Sequence, residues 1–173
     1  ACTGRLGSFG PCIGGHLTYR AALQPEVAAA ACFYPTDLHK RGLGAGMNDD
    51  SLARAADIKG ELMLVFGRQD PHVPAEGRAM IYQTLTAAGV SFTWHEFNGA
   101  HAFMRDEGYR YDPELALQGY ALTLALFRRE LHEGDQRAPA ASGSTETVIS
   151  SVAGQVLHSR RVGRSGATVG SAK

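Results

Sequence analysis

A cysteine lies between two glycines where a predicted strand runs into a predicted helix. Residues 10–14 read Gly-Pro-Cys-Ile-Gly, the thiol version of the Gly-x-Ser-x-Gly turn that exposes a nucleophile above a sheet. The helix N-terminus that follows Cys12 favours its thiolate, and the backbone N–H of Ile13 is positioned to donate to an oxyanion. We expect Cβ atoms at positions 10 and 14 to collide with the neighbouring strand and helix, which would explain the glycines. Cysteine is also a common inert core residue, so the motif alone leaves both interpretations open.

A nucleophile of this kind needs a general base and a group that orients the base. Asp70 follows the apolar segment of residues 61–67, and His101 follows the segment of residues 91–97. If both segments are strands of one parallel sheet, their carboxyl ends lie at the same edge, where Cys12 also emerges. The sequence therefore predicts a site made of Cys12, Asp70 and His101. The alternatives are a turn role for Asp70 and a structural role for His101.

Other candidate sites have weaker patterns. Asp70 and His72 could suggest a metal, but two ligands without a third are insufficient, and we expect no metal. We see no reason for His72 to face the active edge of the sheet. The glycine-rich residues 42–46 lack the lysine and the preceding strand of a phosphate-binding loop. No cofactor is predicted.

Strands and helices alternate in the predicted secondary structure. Strands are predicted over residues 5–10, 27–34, 61–67 and 91–97, and helices over residues 14–23, 74–88 and 113–131. The segment VAAAACFY is continuously apolar, which is typical of a strand buried on both faces, and ELMLVFG is the best candidate for another buried strand. This order predicts the α/β class, with a mostly parallel sheet of about four strands and flanking helices. One edge of such a sheet stays unsatisfied unless further sequence or a partner covers it.

Apolar residues recur at helical spacing in the last two predicted helices. The helix over residues 74–88 has Met80, Ile81, Leu85 and Ala88 on one side. In the final helix the apolar residues are Leu117, Tyr120, Leu124, Phe127 and Leu131. Their spacing predicts an amphipathic helix.

The composition is that of a globular protein. The chain has 173 residues, of which 44% are hydrophobic, and its formal net charge is zero, which predicts neither a nucleic-acid nor a membrane partner. Cys2, Cys12 and Cys32 are too few and too scattered for a disulfide framework, so we expect a reducing, cytoplasmic location. We expect residues 1–133 to form one domain and residues 134–173 a disordered tail. Because the chain starts with alanine, we expect a longer gene product.

Three segments in combination resemble the dienelactone hydrolase family, the carboxymethylenebutenolidases of the α/β-hydrolase fold. They are GPCIGG, FGRQDPHVPAEG and FNGAHAFMRDEGYRYDP. The resemblance covers about residues 4–131, the C-terminal part of the family's domain. It implies hydrolysis of a small ester or lactone by a triad of Cys12, Asp70 and His101. It also implies that Arg105 holds a substrate carboxylate.

The resemblance leaves several points open. Arg105 could instead form a surface salt bridge with Asp106 or Glu107. The resemblance also implies early strands, a second oxyanion donor, a second substrate-binding arginine and a glutamate that this chain lacks, so the chain by itself could be inactive. One competing hypothesis is a glutamine amidotransferase-like enzyme, but that class needs an acid at residue 103, which is Phe103. The other is a hydrolase-like binding domain without turnover. The oligomeric state is not predicted.

Overall fold

The computed structural model of the chain describes residues 4–43 and 50–132. The predicted tail, residues 134–173, lies outside the described residues, so the domain boundary near residue 133 stays a prediction. The strands are β1 (Leu6–Pro11), β2 (Val27–Phe33), β3 (Glu61–Gly67) and β4 (Phe92–Phe97), and the α-helices are α1 (Ile13–Ala22), α2 (Ala75–Ala87) and α3 (Pro113–Leu131). Two short 3₁₀ helices, Leu38–Lys40 and Leu52–Asp57, lie between β2 and β3.

The four strands form one parallel sheet in the order β1-β2-β3-β4. The predicted α/β class and the number of strands are confirmed. The register pairs Pro11 with Phe33 and Gly67 with Phe97. The carboxyl ends of β1 and β2 therefore lie side by side, as do those of β3 and β4, and the loops that follow them leave the sheet at one edge.

Two apolar layers enclose the central strands. In β3, Leu62, Leu64 and Phe66 pack with side chains of α1 and α2, whereas Met63 and Val65 pack with side chains of α3. Each face of the sheet thus has its own helical layer, as expected for parallel strands that are continuously apolar. None of the helices in the described ranges is long and apolar enough to cross a membrane.

The helix α3 has its predicted bounds, but the face that it buries is offset by one residue from the predicted stripe. Its buried residues are Ala116, Gly119, Thr123, Leu126 and Glu130. Leu117, Tyr120 and Leu124 are 70%, 49% and 51% exposed. The physical reason is close approach, because a Cβ at Gly119 would lie 2.7 Å from the ring of Phe33. Small residues therefore face the sheet in the first half of α3, whereas Phe127 and Leu131 of the predicted stripe are partly buried against the core.

The prediction for α2 is also wrong at one residue. Ile81 and Leu85 are fully buried, but Met80 is exposed. On β1, Leu6 and Phe9 are exposed, and no strand in the described part of the chain pairs with the outer edge of β1. The outer edge of β4 has no partner strand within these residues either, so the described sheet has two unpaired edges rather than the one that was predicted.

Candidate active site

Cys12 occupies the turn that joins β1 to α1. Its backbone has φ 59° and ψ −126°, a conformation that costs energy for any residue except glycine. The N–H of Cys12 donates to the carbonyl oxygen of Phe33 at 3.0 Å, and its own carbonyl accepts from the N–H of Gly15 at 2.9 Å. These bonds from both neighbouring elements hold the strained residue in place.

The glycines around Cys12 serve different purposes. A Cβ at Gly10 would overlap the carbonyl oxygen of Gly14, as predicted. The matching prediction for Gly14 is wrong, because the nearest atom to its Cβ would be Pro11 Cδ at 3.6 Å, an ordinary contact. The second tight position is Gly15 instead, where a Cβ would lie 2.5 Å from the carbonyl oxygen of Phe33. Helix α1 crosses the end of β2 at this residue.

Hydrogen bonds connect the loop after β3 to the loop after β4. The backbone N–H of Gln69 donates to the carbonyl oxygen of Gly99 at 3.0 Å, and the Gln69 side-chain amide donates to Asn98 Oδ1 at 3.1 Å. Asp70 follows Gln69 directly, and His101 lies two residues after Gly99. Their relative position is therefore fixed by backbone bonds as well as by their own side chains.

His101 contacts both other predicted residues of the site. Its Nδ1 lies 2.7 Å from Asp70 Oδ2, and its Nε2 lies 3.2 Å from Cys12 Sγ. Asp70 Oδ1 accepts from the backbone N–H of His72 at 2.7 Å. His101 and Asp70 are buried, whereas Cys12 is partly exposed. The arrangement leaves the sulfur accessible and the two groups behind it sheltered from water.

The environment of Asp70 favours its carboxylate form. Burial by itself raises the pKa of the carboxyl group, but the hydrogen bonds from His101 and from the backbone of His72 outweigh it, so the net pKa of Asp70 is lowered. A carboxylate can only accept, and His101 Nδ1 must therefore carry the proton in their bond. In a neutral imidazole this tautomer makes Nε2 a hydrogen-bond acceptor, and Nε2 is the atom that lies 3.2 Å from Cys12 Sγ.

Two rings hold the imidazole of His101. The centre of the Tyr34 ring lies 4.9 Å from the centre of the His101 ring, edge to face, and the centre of the His72 ring lies 4.5 Å from it. The expectation that His72 does not face the active edge is therefore wrong. The sequence did contain a signal for the position of His72, because this residue follows Asp70 by two residues on the same loop. Burial raises the pKa of Tyr34 to about 12, so this phenol stays neutral beside the imidazole.

A cavity of about 480 Å³ opens over Cys12. It is lined by Phe9, Pro11, Cys12, Tyr34, Thr36, His72, His101, Ala102, Met104, Arg105, Arg110 and Tyr120. Such a pocket, apolar with a few polar groups, is typical of a site for a small molecule.

The predicted oxyanion donor is the backbone N–H of Ile13, which is the first residue of α1. N–H groups in the first turn of a helix have no intrahelical acceptor.

The cavity brings Arg105 beside the site and adds residues that the sequence did not indicate. The Arg105 side chain is 68% exposed, and its guanidinium lies 3.9 Å from the Glu107 carboxylate, so the alternative of a surface salt bridge with Glu107 is present although Arg105 also lines the cavity. Tyr34 and Arg110 were not predicted. Tyr34 follows an apolar strand directly, which was a positional signal, whereas nothing in the pattern distinguished Arg110 from other loop arginines.

The metal-site and amidotransferase hypotheses can also be compared with the structure. In the described part of the chain, no cluster of three or more His, Cys, Asp or Glu side chains has the arrangement of a metal site. Phe103, which stands where the amidotransferase hypothesis needs an acid, is fully buried. The acid that contacts His101 is Asp70.

Comparisons with known proteins give a consistent result. The model of the dienelactone hydrolase family matches residues 1–131. A candidate carboxymethylenebutenolidase of Saccharomyces cerevisiae is 44% identical in an alignment of 133 residues that covers 73% of this chain and 49% of that protein. The carboxymethylenebutenolidase of a Pseudomonas species is 27% identical over 74% of this chain and 49% of its own length.

Solved structures extend the likeness to the fold. The crystal structure of a candidate dienelactone hydrolase from Klebsiella pneumoniae superimposes with a TM-score of 0.65 at 25% identity, over 73% of this chain and 52% of that one. The sheet and its helices are thus part of an α/β-hydrolase fold. The chain spans about half the length of the curated relatives that it matches.

Proposed function

Because the chain belongs to the dienelactone hydrolase family, we propose that it carries the catalytic residues of an enzyme that hydrolyses small esters or lactones. The observation that carries the proposal is the double contact of His101, 3.2 Å from Cys12 Sγ and 2.7 Å from Asp70 Oδ2. A nucleophile, a base and a group that orients the base within hydrogen-bonding reach are the requirements of covalent acyl transfer.

In the proposed first half-reaction, His101 Nε2 takes the proton of the Cys12 thiol, and the thiolate attacks the carbonyl carbon. A carbon–sulfur bond forms, and the carbonyl oxygen becomes an oxyanion that accepts from the Ile13 N–H. The intermediate then expels the alkoxide, which takes the proton back from His101. The products of this step are a thioester on Cys12 and an alcohol, which in a lactone stays attached to the acyl chain.

In the second half-reaction, His101 removes a proton from water, and the hydroxide attacks the thioester carbonyl. The carbon–sulfur bond breaks, a carboxylic acid leaves, and the proton returns to Cys12. Asp70 keeps His101 in the required tautomer throughout and stabilises the imidazolium. Arg105, at the rim of the cavity, is proposed to contact a substrate carboxylate. We also propose a reducing, cytoplasmic location, because an oxidised thiol is no nucleophile.

The test is to incubate the chain with an activated ester such as p-nitrophenyl acetate. We expect an acyl group on Cys12, detected by mass spectrometry, and its loss together with turnover in Cys12→Ala. The matched control is Cys32→Ala, because Cys32 is fully buried in the core and should not react. Wild-type protein with neither turnover nor an adduct on Cys12 would contradict the hydrolase proposal and favour the binding domain without turnover.

A further inference from the structure

The outer edge of β4 presents backbone groups that no strand in the described part of the chain pairs with. On the inner side, the carbonyl oxygens of Ser91 and Phe97 accept from backbone N–H groups in β3 and directly after it. Alternate residues of a strand direct their N–H and C=O groups to opposite sides. Phe92, Trp94 and Glu96 therefore direct theirs away from β3, to the open edge.

The strand β4 lacks the features that commonly protect an edge strand. Such strands are commonly interrupted by a bulge or a proline, or they carry lysine. The residues of β4 pair with β3 in an unbroken register, whereas the register of β1 shifts between Leu6 and Gly7. The sequence of β4 is FTWHEF, without proline or lysine. Its outer edge can therefore accept a further extended segment.

A second cavity, of about 370 Å³, lies between this edge strand and α2. Its polar lining is Arg68, Arg78, Gln83 and Glu96, and its aromatic lining is Tyr82 and Trp94. It shares no lining residue with the cavity over Cys12. Trp94 and Glu96 also direct backbone groups to the open edge. Because neighbouring strands place side chains of one face next to each other, a strand added to β4 would place alternate side chains over this cavity.

The charges in this cavity favour an acidic ligand. The Glu96 carboxylate lies 3.4 Å from the Arg78 guanidinium and 4.0 Å from that of Arg68, and it accepts from the indole N–H of Trp94 at 3.1 Å. Arg78 is buried, and its Nη1 donates to the carbonyl oxygen of Val73 at 2.9 Å. Among the described residues that line the cavity, two guanidinium groups thus face one carboxylate. A second carboxylate, from a ligand, would balance the remaining positive charge.

A second copy of this chain fits the same edge less well than an acidic segment does. Pairing of β4 with another β4 would bring together two cavities that each have an excess of positive charge. Like charges across an interface oppose association. The charges therefore favour a different, acidic partner.

We propose that the outer edge of β4 binds an extended acidic segment of a partner protein as an additional strand. Backbone hydrogen bonds to Phe92, Trp94 and Glu96 would supply affinity, as in other cases of strand addition. An Asp or Glu of the segment would contact Arg68 beside the aromatic part of the cavity. This inference goes beyond the proposed function, and it does not involve Cys12.

The experiment uses the fluorescence of Trp94, because this residue is the only tryptophan in the sequence and lines the cavity. The probe is the capped peptide acetyl-Thr-Val-Thr-Val-Glu-Val-Thr-amide, which itself contains no tryptophan or tyrosine. One companion peptide has glutamine in place of the glutamate. Two others have N-methyl groups on alternate amides, one on each of the two alternating sets, so that each lacks the donors of one side of the strand.

We expect a saturable change in Trp94 emission with the parent peptide, and loss of this change with one of the two methylated peptides only. The glutamine peptide and the variant Arg68→Gln should each bind about two- to fivefold more weakly, as for loss of a partly screened ion pair. Combining the two changes should weaken binding no further. Arg54→Gln is the control, because Arg54 is exposed, pairs with Asp57 and does not line the cavity. It should bind the peptide as the wild type does.

Four results would overturn the proposal. The first is a wild-type chain whose Trp94 emission does not change with the parent peptide. The second is equal binding of the two methylated peptides, because the backbone edge would then not be the contact. The third is equal binding of the glutamate and glutamine peptides. The fourth is Trp94 emission that changes with protein concentration alone, which would assign the edge to a second copy of the chain.

Discussion

Gly10 and Gly14 flank Cys12 symmetrically in the sequence, but the structure predicts opposite effects for the same substitution at the two positions. A Cβ at Gly10 would overlap the carbonyl oxygen of Gly14 and lie 2.7 Å from Thr18 Oγ1. The overlapped atom is backbone in the first turn of α1, so it cannot rotate away. We expect Gly10→Ala to lower the free energy of unfolding by about 2–3 kcal/mol, the upper part of the usual range for overpacking.

Gly14→Ala is the matched control. Its Cβ would meet only Pro11 Cδ, at 3.6 Å. Alanine has the higher helix propensity, and Gly14 lies within α1. We therefore expect Gly14→Ala to raise the free energy of unfolding by about 0.5–1 kcal/mol.

Both variants can be compared by urea denaturation and by thermal melting followed by circular dichroism. A change of 1 kcal/mol shifts Tm by about 2–4 °C in a chain of this size. Gly10→Ala should therefore melt roughly 4–12 °C below the wild type, and Gly14→Ala at or slightly above it. Equal losses in the two variants would refute the steric explanation of the turn.

The remaining predictions concern Asp70 and the exposed stripe of α3. Asp70→Asn should lower ester turnover by about 10³–10⁴-fold, the order known for other triads, because an amide that donates to Nδ1 selects the wrong tautomer of His101. Since the folded pKa of Asp70 is lowered, its carboxylate stabilises the fold above the unfolded pKa, and this contribution is lost as pH falls through the folded pKa. When the pH is lowered from about 7 to about 3, the free energy of unfolding measured in urea should therefore fall less for Asp70→Asn than for the wild type. Equal falls would contradict the link between the lowered pKa of Asp70 and stability. The wild-type chain should self-associate through the exposed apolar residues of α3, which include Leu124. Light scattering should show less association for Leu124→Glu than for Gln118→Glu. The second variant is the control, because it adds the same charge to another exposed residue of α3. A wild-type chain that stays monomeric at high concentration would contradict this.

The two central strands, β2 and β3, could be predicted because their apolar pattern follows from burial on both faces. β3 is enclosed on both faces, so every residue from Glu61 to Gly67 is buried, and its sequence is apolar after Glu61, which pairs with Arg129. The bounds predicted for β3 agree with the structure. β1 was less well defined, since its edge position leaves Leu6 and Phe9 exposed and its sequence contains two glycines.

The buried face of α3 could not be predicted in full from hydrophobicity, because close packing selected small residues in the first half of the helix. The buried series from Ala116 to Glu130 has the same alternation of three and four residues as the predicted stripe from Leu117 to Leu131, one position earlier. Only contact with Phe33 reveals why Gly119 must face the sheet. Periodicity therefore identifies the helix, whereas its rotation depends on the distance between the helix and the sheet.

The candidate site also has one part that could be predicted from the sequence and one part that could not. Cys12, Asp70 and His101 each follow a strand, and the direction of a parallel sheet brings such positions to one edge, so their proximity was predictable, although their catalytic role stays a proposal. Arg110 lies nine residues beyond His101 in an irregular loop, where strand direction gives no information about position. The sheet thus determines where bond-making groups meet, and loop conformation determines which charges line the cavity around them. Substitutions in this loop should accordingly change the lining of the cavity without disturbing the contacts that hold His101.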